Sequence, residues 1–203
     1  MKPRREKRAT PARAAAYPGR IRIIAGQWRG RFLDVTDVPG LRPTPNRVRE
    51  TLFNWLTPYL PGAACLDLFA GSGALCIESL SRGAARAVMV ERQGPAAAQL
   101  RRNLERLDAS NADVIEADAV DFLAGPVTPM DIIFIDPPFA RSDLIATCLK
   151  TIAQRGWLRP GGLVYVEAPA ELEPLPLPHW ETVKFKATGQ VGYHLLRAGP
   201  VSS

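Results

Sequence analysis

From residue 64 to residue 167 the chain alternates short apolar runs with amphipathic segments, and that alternation leaves few folds open. Strands are expected at Cys65–Phe69, Ala87–Glu91, Asp113–Glu116, Asp131–Ile135 and Leu163–Glu167. Helices fit at Ala74–Ser81, Ala96–Leu107 and Leu144–Gln154, with a short one at Ala119–Leu123. Strand-helix alternation predicts an α/β fold, a parallel sheet with helices on both faces. The run Ile132-Ile133-Phe134-Ile135 is apolar throughout and largely β-branched, as a strand buried on both faces requires. The end of the chain differs. Thr182–Ala187 and Val191–Arg197 flank Thr188-Gly189-Gln190 and read as a closing antiparallel hairpin, with Glu173-Pro-Leu-Pro-Leu-Pro178 as a rigid connector before it.

In open α/β sheets ligands bind beyond the carboxyl ends of the strands. Asp67, Glu91, Asp118 and Asp136 all fall there. Asp67 runs through Phe69 and Ala70 into Gly71-Ser72-Gly73, a strand-to-helix turn in which glycines let the backbone approach a ligand. A dinucleotide fingerprint would want a third glycine at 76, where Cys76 stands. The Asp67 carboxylate suits a ligand carrying an ammonium or sulfonium group. Glu91, followed by Arg92, lies twenty residues beyond Gly71, the position from which an acid holds ribose hydroxyls. Asp118, followed by Ala119, is in reach of an adenine amino group by the same geometry. Singly, each acid is more often a helix N-cap or a turn residue; four in register with a Gly-x-Gly turn favour a ligand site.

Asp136-Pro137-Pro138-Phe139 closes the most apolar run. The Asp136 carboxylate accepts hydrogen bonds. The prolines, with fixed φ and no N–H, hold backbone carbonyls as further acceptors. Phe139 offers a face on which a base stacks. Such a set suits a planar exocyclic amine, though a plain Pro-rich turn has the same composition.

The positive charge sits at one end. Residues 1–20 carry net +6, residues 21–50 net +3, and residues 51–203 net −3. A basic N-terminal quarter points to a polyanion, nucleic acid first. Residues 1–18, rich in Ala, Pro and Arg, read as a solvated tail. Arg20–Ile24 and Arg31–Val35 read as a hairpin exposing Trp28, Arg29 and Arg31. Thr44-Pro45 starts a helix in which Val48, Leu52, Leu56 and Tyr59 recur at helical spacing. Arg22, Arg29, Arg31, Arg42, Arg47 and Arg49 are candidates for phosphate contacts and Trp28 for stacking; each Arg alone is as readily a solvated surface charge. Cys65, Cys76 and Cys148 show no CxxC spacing and read as buried thiols of a cytoplasmic protein, with no metal site expected. No segment has the apolar length to span a bilayer.

Asp67-Leu-Phe-Ala-Gly71-Ser-Gly73 together with Asp136-Pro-Pro-Phe139 resembles the class I S-adenosylmethionine-dependent methyltransferases of exocyclic amines. Arg22-Ile-Ile-Ala-Gly-Gln-Trp-Arg-Gly-Arg31, Gly40-Leu-Arg-Pro-Thr44, Arg47-Val-Arg-Glu-Thr-Leu-Phe-Asn-Trp-Leu56, Gly156-Trp157-Leu158 and Leu163-Val-Tyr-Val-Glu167 are similar to a narrower group, the bacterial 16S ribosomal RNA guanine-N2 methyltransferases called RsmD. The likeness runs from about residue 20 to residue 197. Asn46 departs from it, standing where Asp is usual. The resemblance implies a Rossmann-like seven-stranded sheet, mostly parallel, with an antiparallel C-terminal hairpin. It implies a docking segment at 19–62, a catalytic domain at 63–198 and a tail at 199–203. S-adenosylmethionine would be the methyl donor. The partner would be 16S ribosomal RNA in a small subunit or its precursor, met by a monomer. Asp67, Phe69, Ala70, Gly71, Ser72 and Gly73 would line the cofactor, Glu91 and Arg92 its ribose, and Asp118 and Ala119 its adenine, with Asp136 bordering the cofactor as well. Asp136-Pro137-Pro138-Phe139 would receive the guanine. The alternatives are an amine methyltransferase acting on DNA adenine or a protein glutamine amide, and a non-catalytic RNA-binding protein; a nicotinamide oxidoreductase is disfavoured by Cys76.

Overall fold

The computed structural model describes residues 19–36, 45–172 and 179–199, with only the backbone of Phe139. The predicted tail 1–18, the Gly40–Thr44 segment with Arg42, and the Glu173–Pro178 connector lie outside the described residues. A short antiparallel ribbon, β1 (Arg20–Arg22) and β2 (Phe32–Asp34), leads into α1 (Asn46–Leu56). The main body follows as β3 (Ala64–Asp67), α2 (Ala74–Ser81), β4 (Arg86–Val90), α3 (Gly94–Leu107), β5 (Ala112–Ile115), α4 (Ala119–Ala124), β6 (Met130–Ile135), α5 (Asp143–Arg155), β7 (Leu158–Pro169), β8 (Trp180–Thr188) and β9 (Val191–Ala198). Seven of these strands form one sheet in the order β5-β4-β3-β6-β7-β9-β8. From β5 across to β7 the strands pair in parallel, while β9 runs antiparallel to both β7 and β8. The predicted Rossmann-like sheet with an antiparallel C-terminal hairpin is the observed one.

Side chains alternate across the strands and divide the core in two. Cys65, Met89, Phe134 and Tyr165 pack with α1, α2 and α3 on one face. Leu66, Val90, Ile133, Ile135 and Val166 pack with α4 and α5 on the other. This is why the β6 run is apolar at every position. The cysteines are buried as expected, and loss of solvent raises the thiols of Cys65 and Cys148 to about 12.

The N-terminal ribbon packs onto this body through Ile21, Ile23 and Leu33. Trp28, expected to be exposed, is only 8% exposed and shares the α1–α2–α3 core. Its N–H donates to Ser81 Oγ (3.0 Å). Gly26 crosses α2 so closely, at φ +81°, that a Cβ there would lie 1.7 Å from the Ser81 carbonyl oxygen. Beside it the buried Glu78 carboxylate accepts the N–H groups of Ile24 (2.7 Å) and Ala25 (2.9 Å). The segment Gly26-Gln27-Trp28 reads as an exposed turn by composition because nothing local reports that α2 lies against it.

Candidate active site

The strand order reverses between β3 and β6. From β3 the chain leaves through α2 towards β4, and from β6 it leaves through α5 towards β7, so the carboxyl ends of this pair open into a crevice. A cavity of about 910 Å³ fills it. Asp67, Glu91, Asp118 and Asp136 all line it, as do Phe69, Ala70, Gly71, Ser72, Arg92 and Ala119. Pro137 and Pro138 line the same space. The two predicted half-sites are therefore one site.

Within it the acids differ in how they are held. Asp67 ends β3 and is 2% exposed; its Oδ1 accepts the Phe69 N–H (3.1 Å). Burial pushes its carboxyl up to about 7, the Phe69 N–H opposes this, and the charges of Glu91 and Glu167 add to it. Glu91 uses both oxygens on backbone: Oε2 takes the Gly71 N–H (2.9 Å) and Oε1 the Gln93 N–H (2.8 Å). It thereby locks the glycine turn onto the end of β4. Asp118 stands three residues past β5 as the N-cap of α4, accepting from the Val120 N–H (2.9 Å) while lining the cavity. Gly73 is the exception among the predicted cofactor residues. It is not among the residues that line the cavity, and a Cβ there, at φ +76°, would lie 2.5 Å from Leu100 Cδ2. Its lack of a side chain serves the packing of α2 on α3.

Residues 21–197 match the family model described as Conserved hypothetical protein 95. The chain is 50% identical to ribosomal RNA small subunit methyltransferase D of Escherichia coli (strain K12) over 87% of this chain and 89% of that protein. It is 45% identical to the Haemophilus influenzae protein of the same name, over 87% and 93%. The chain belongs to this family. The solved structure of yhhF from Escherichia coli superposes with a TM-score of 0.81 at 49% identity, covering 89% of this chain and 99% of that one.

In this member of the family the walls of the cavity come from opposite ends of the chain. α1 supplies Arg47, Val48 and Thr51, and the β8–β9 hairpin supplies Lys186, Thr188 and Gln190. Lys186 Nζ donates to Thr51 Oγ1 across the gap (3.5 Å). Arg141, just past the Asp-Pro-Pro turn, also lines the space. Sequence reasoning missed Glu167, Arg141, Lys186 and Gln190. Glu167 was within reach, since it ends a predicted strand. Lys186 was not, because the hairpin doubles back beside β7 and no local pattern says so.

The predicted phosphate contacts separate. Arg22, Arg29, Arg31 and Arg47 are exposed, and of these Arg47 lines the cavity. The Arg31 guanidinium also donates to the Arg106 carbonyl. Arg49 is not a surface cation: it is fully buried, donating to Asn46 Oδ1 (2.6 Å) and the Arg22 carbonyl (2.8 Å), with Glu78 Oε2 at 3.8 Å. Burial pulls its guanidinium below the usual range and the Glu78 charge opposes that. Asn46, where Asp is usual, keeps an acceptor for this guanidinium in its amide oxygen.

Proposed function

We propose that this protein transfers a methyl group from S-adenosylmethionine to the exocyclic N2 of one guanine in 16S ribosomal RNA, within the small subunit or its precursor. The observation that carries the reading is the single cavity in which an acid-lined glycine turn adjoins Asp136-Pro137-Pro138. The names of the related proteins support ribosomal RNA of the small subunit as substrate. S-adenosylmethionine fits the residues present. The Asp67 carboxyl, stripped of water by burial, is a place where a cationic ligand relieves the cost of ionisation. Glu91 and Asp118 line the same cavity and would hold its ribose and adenine, and Gly71, with φ +51°, lets the chain pass close to it. When bound, the cofactor supplies an electrophilic methyl group on a sulfonium.

The guanine N2 lone pair is delocalised into the ring, so N2 is a poor nucleophile until its hydrogens are held. Asp136 and the Pro137 carbonyl accept those hydrogens and bend the nitrogen towards tetrahedral geometry. Positioning and acceptor charge of this kind supply several kcal/mol of barrier reduction. Once methylated, N2 would be cationic, and Asp136 or water would take its proton. Phe139 follows as the stacking residue for a base drawn out of its own stack. A cysteine nucleophile has no place here, since burial holds all three thiols protonated.

The test is labelled methyl transfer to small subunits lacking the modification, followed by nucleoside analysis. N2-methylguanosine at one position is expected; a different methylated nucleoside, or none, overturns the reading. Asp136→Ala is expected to lower turnover by about a hundredfold or more with S-adenosylmethionine affinity little changed. Near-normal turnover would remove Asp136 from the assignment.

A further inference from the structure

An Asp-Pro-Pro turn offers acceptors to any planar amine and does not by itself tell guanine from adenine. The difference lies one atom along the Watson–Crick edge. Guanine presents N1–H beside its amino group, two adjacent donors, whereas adenine presents a bare N1 lone pair beside its own. An ionised carboxylate accepts only, so a second acid next to Asp136 would welcome the first edge and repel the second.

The structure places such an acid there. β6 and β7 pair in parallel through Phe134–Tyr165 and Ile135–Val166, and Asp136, just past the end of β6, and Glu167, in β7, each follow that last paired rung. Neighbouring strands stand about 4.8 Å apart, a spacing that one base edge bridges through two side chains. Both acids line the cavity. Alternation along β7 puts Glu167 on the same face as Tyr165, the face that α1 covers and from which Arg47 and Thr51 reach the cavity. Glu167 is 7% exposed, and its Oε1 accepts the Tyr165 hydroxyl (2.9 Å), which fixes the carboxylate in place. Glu167 is separated from Glu91 by β3 and β6, on the Asp136 side of Asp67, away from the part of the cavity assigned to ribose and adenine.

We propose that Glu167 is the residue that selects guanine, its carboxylate accepting the N1–H of the target base while Asp136 and the Pro137 carbonyl take the N2 hydrogens. Tyr165 is a positioning residue for that carboxylate. This inference rests on the guanine-N2 reading of the site.

The test compares small subunits reconstituted with the natural target guanine and with 2-aminopurine at that position, a base that keeps the 2-amino group and lacks N1–H. For the unaltered protein kcat/KM is expected to favour guanine by about tenfold to a hundredfold, the worth of one hydrogen bond to a charged group. Glu167→Ala is expected to lose that factor on guanine only, so the preference collapses towards unity. Glu167→Gln, which keeps the shape and a weaker acceptor, should fall between. S-adenosylmethionine affinity, measured by calorimetry, should stay within about twofold in both variants. A preference that survives in Glu167→Ala and Glu167→Gln overturns the proposal. So does a loss of cofactor affinity with the preference intact, which would give Glu167 to the cofactor instead. If the unaltered protein makes no N2-methylguanosine on natural subunits, the functional reading fails and this inference falls with it; if it does and only the base preference ignores Glu167, this inference alone fails.

Discussion

Burial sets the chemistry of Asp67, and pH reads it out. Its carboxyl titrates near 3.8 when solvated and at about 7 in the fold, chiefly because it has lost its water. Over that interval the folded protein keeps a proton that the unfolded chain has released. The Asp67 contribution to the stability of the ligand-free protein should therefore be greatest below about pH 4, fall by a few kcal/mol as pH rises to about 7, and level off above it. Cofactor affinity should move the opposite way, tightening through about pH 7 as Asp67 ionises to meet a cation. Urea unfolding and calorimetry across this range check both slopes. Asp67→Asn should flatten them, raising stability at about pH 8 while weakening S-adenosylmethionine. A stability profile in the free protein that rises across the same interval, unchanged by Asp67→Asn, would show that this carboxyl is not the buried acid described.

α1 carries two arginines two residues apart with opposite duties. Arg47 is exposed and lines the cavity, whereas Arg49 turns inward to Glu78, Asn46 and the Arg22 carbonyl. The helix period makes the split, since positions two apart point to nearly opposite sides. Glu78 in turn takes the Arg82 guanidinium (2.8 Å), so α1, α2 and the N-terminal ribbon meet on one buried carboxylate. Arg47→Ala combined with Lys186→Ala should weaken RNA binding and lower the slope of log affinity against log salt by about one for each phosphate that is no longer neutralised. Arg49→Ala should leave that slope alone and cost about 1–3 kcal/mol of folding stability, because the Arg22 carbonyl and Asn46 Oδ1 lose their donor while Glu78 keeps Arg82. Filter binding over a salt series and urea titration separate the two.

For the whole molecule, the shared core matters more than the division into a docking segment and a catalytic domain. Ile23, Leu33, Leu52, Phe53 and Leu56 pack in one cluster with Cys76, Leu100, Phe134 and Tyr165. A chain lacking the first 62 residues would bare that apolar face, and burial of a single large side chain is worth about 1.5–3 kcal/mol. The truncated chain is expected to bind a hydrophobic dye and to show no cooperative transition. The full chain should unfold once, with tryptophan fluorescence and far-ultraviolet circular dichroism giving coincident midpoints. Two separated midpoints would mean that the segments fold independently.

The alternation of apolar runs after residue 64 specified the sheet, because a strand buried on both faces must be apolar at every position, and Ile132–Ile135 is. The strand-end rule specified Asp67, Glu91, Asp118 and Asp136 for the same local reason. The inward turn of Trp28 and Arg49, and the arrival of Lys186 opposite Thr51, depended on segments far away in the chain, and composition reports only how a residue fares beside its neighbours in sequence. Arginine is usually solvated, so an Arg in a basic stretch reads as surface. That Arg49 lies beside Glu78, twenty-nine positions on, and that Glu167 lies beside Asp136, thirty-one positions on, was decided by the tertiary fold alone.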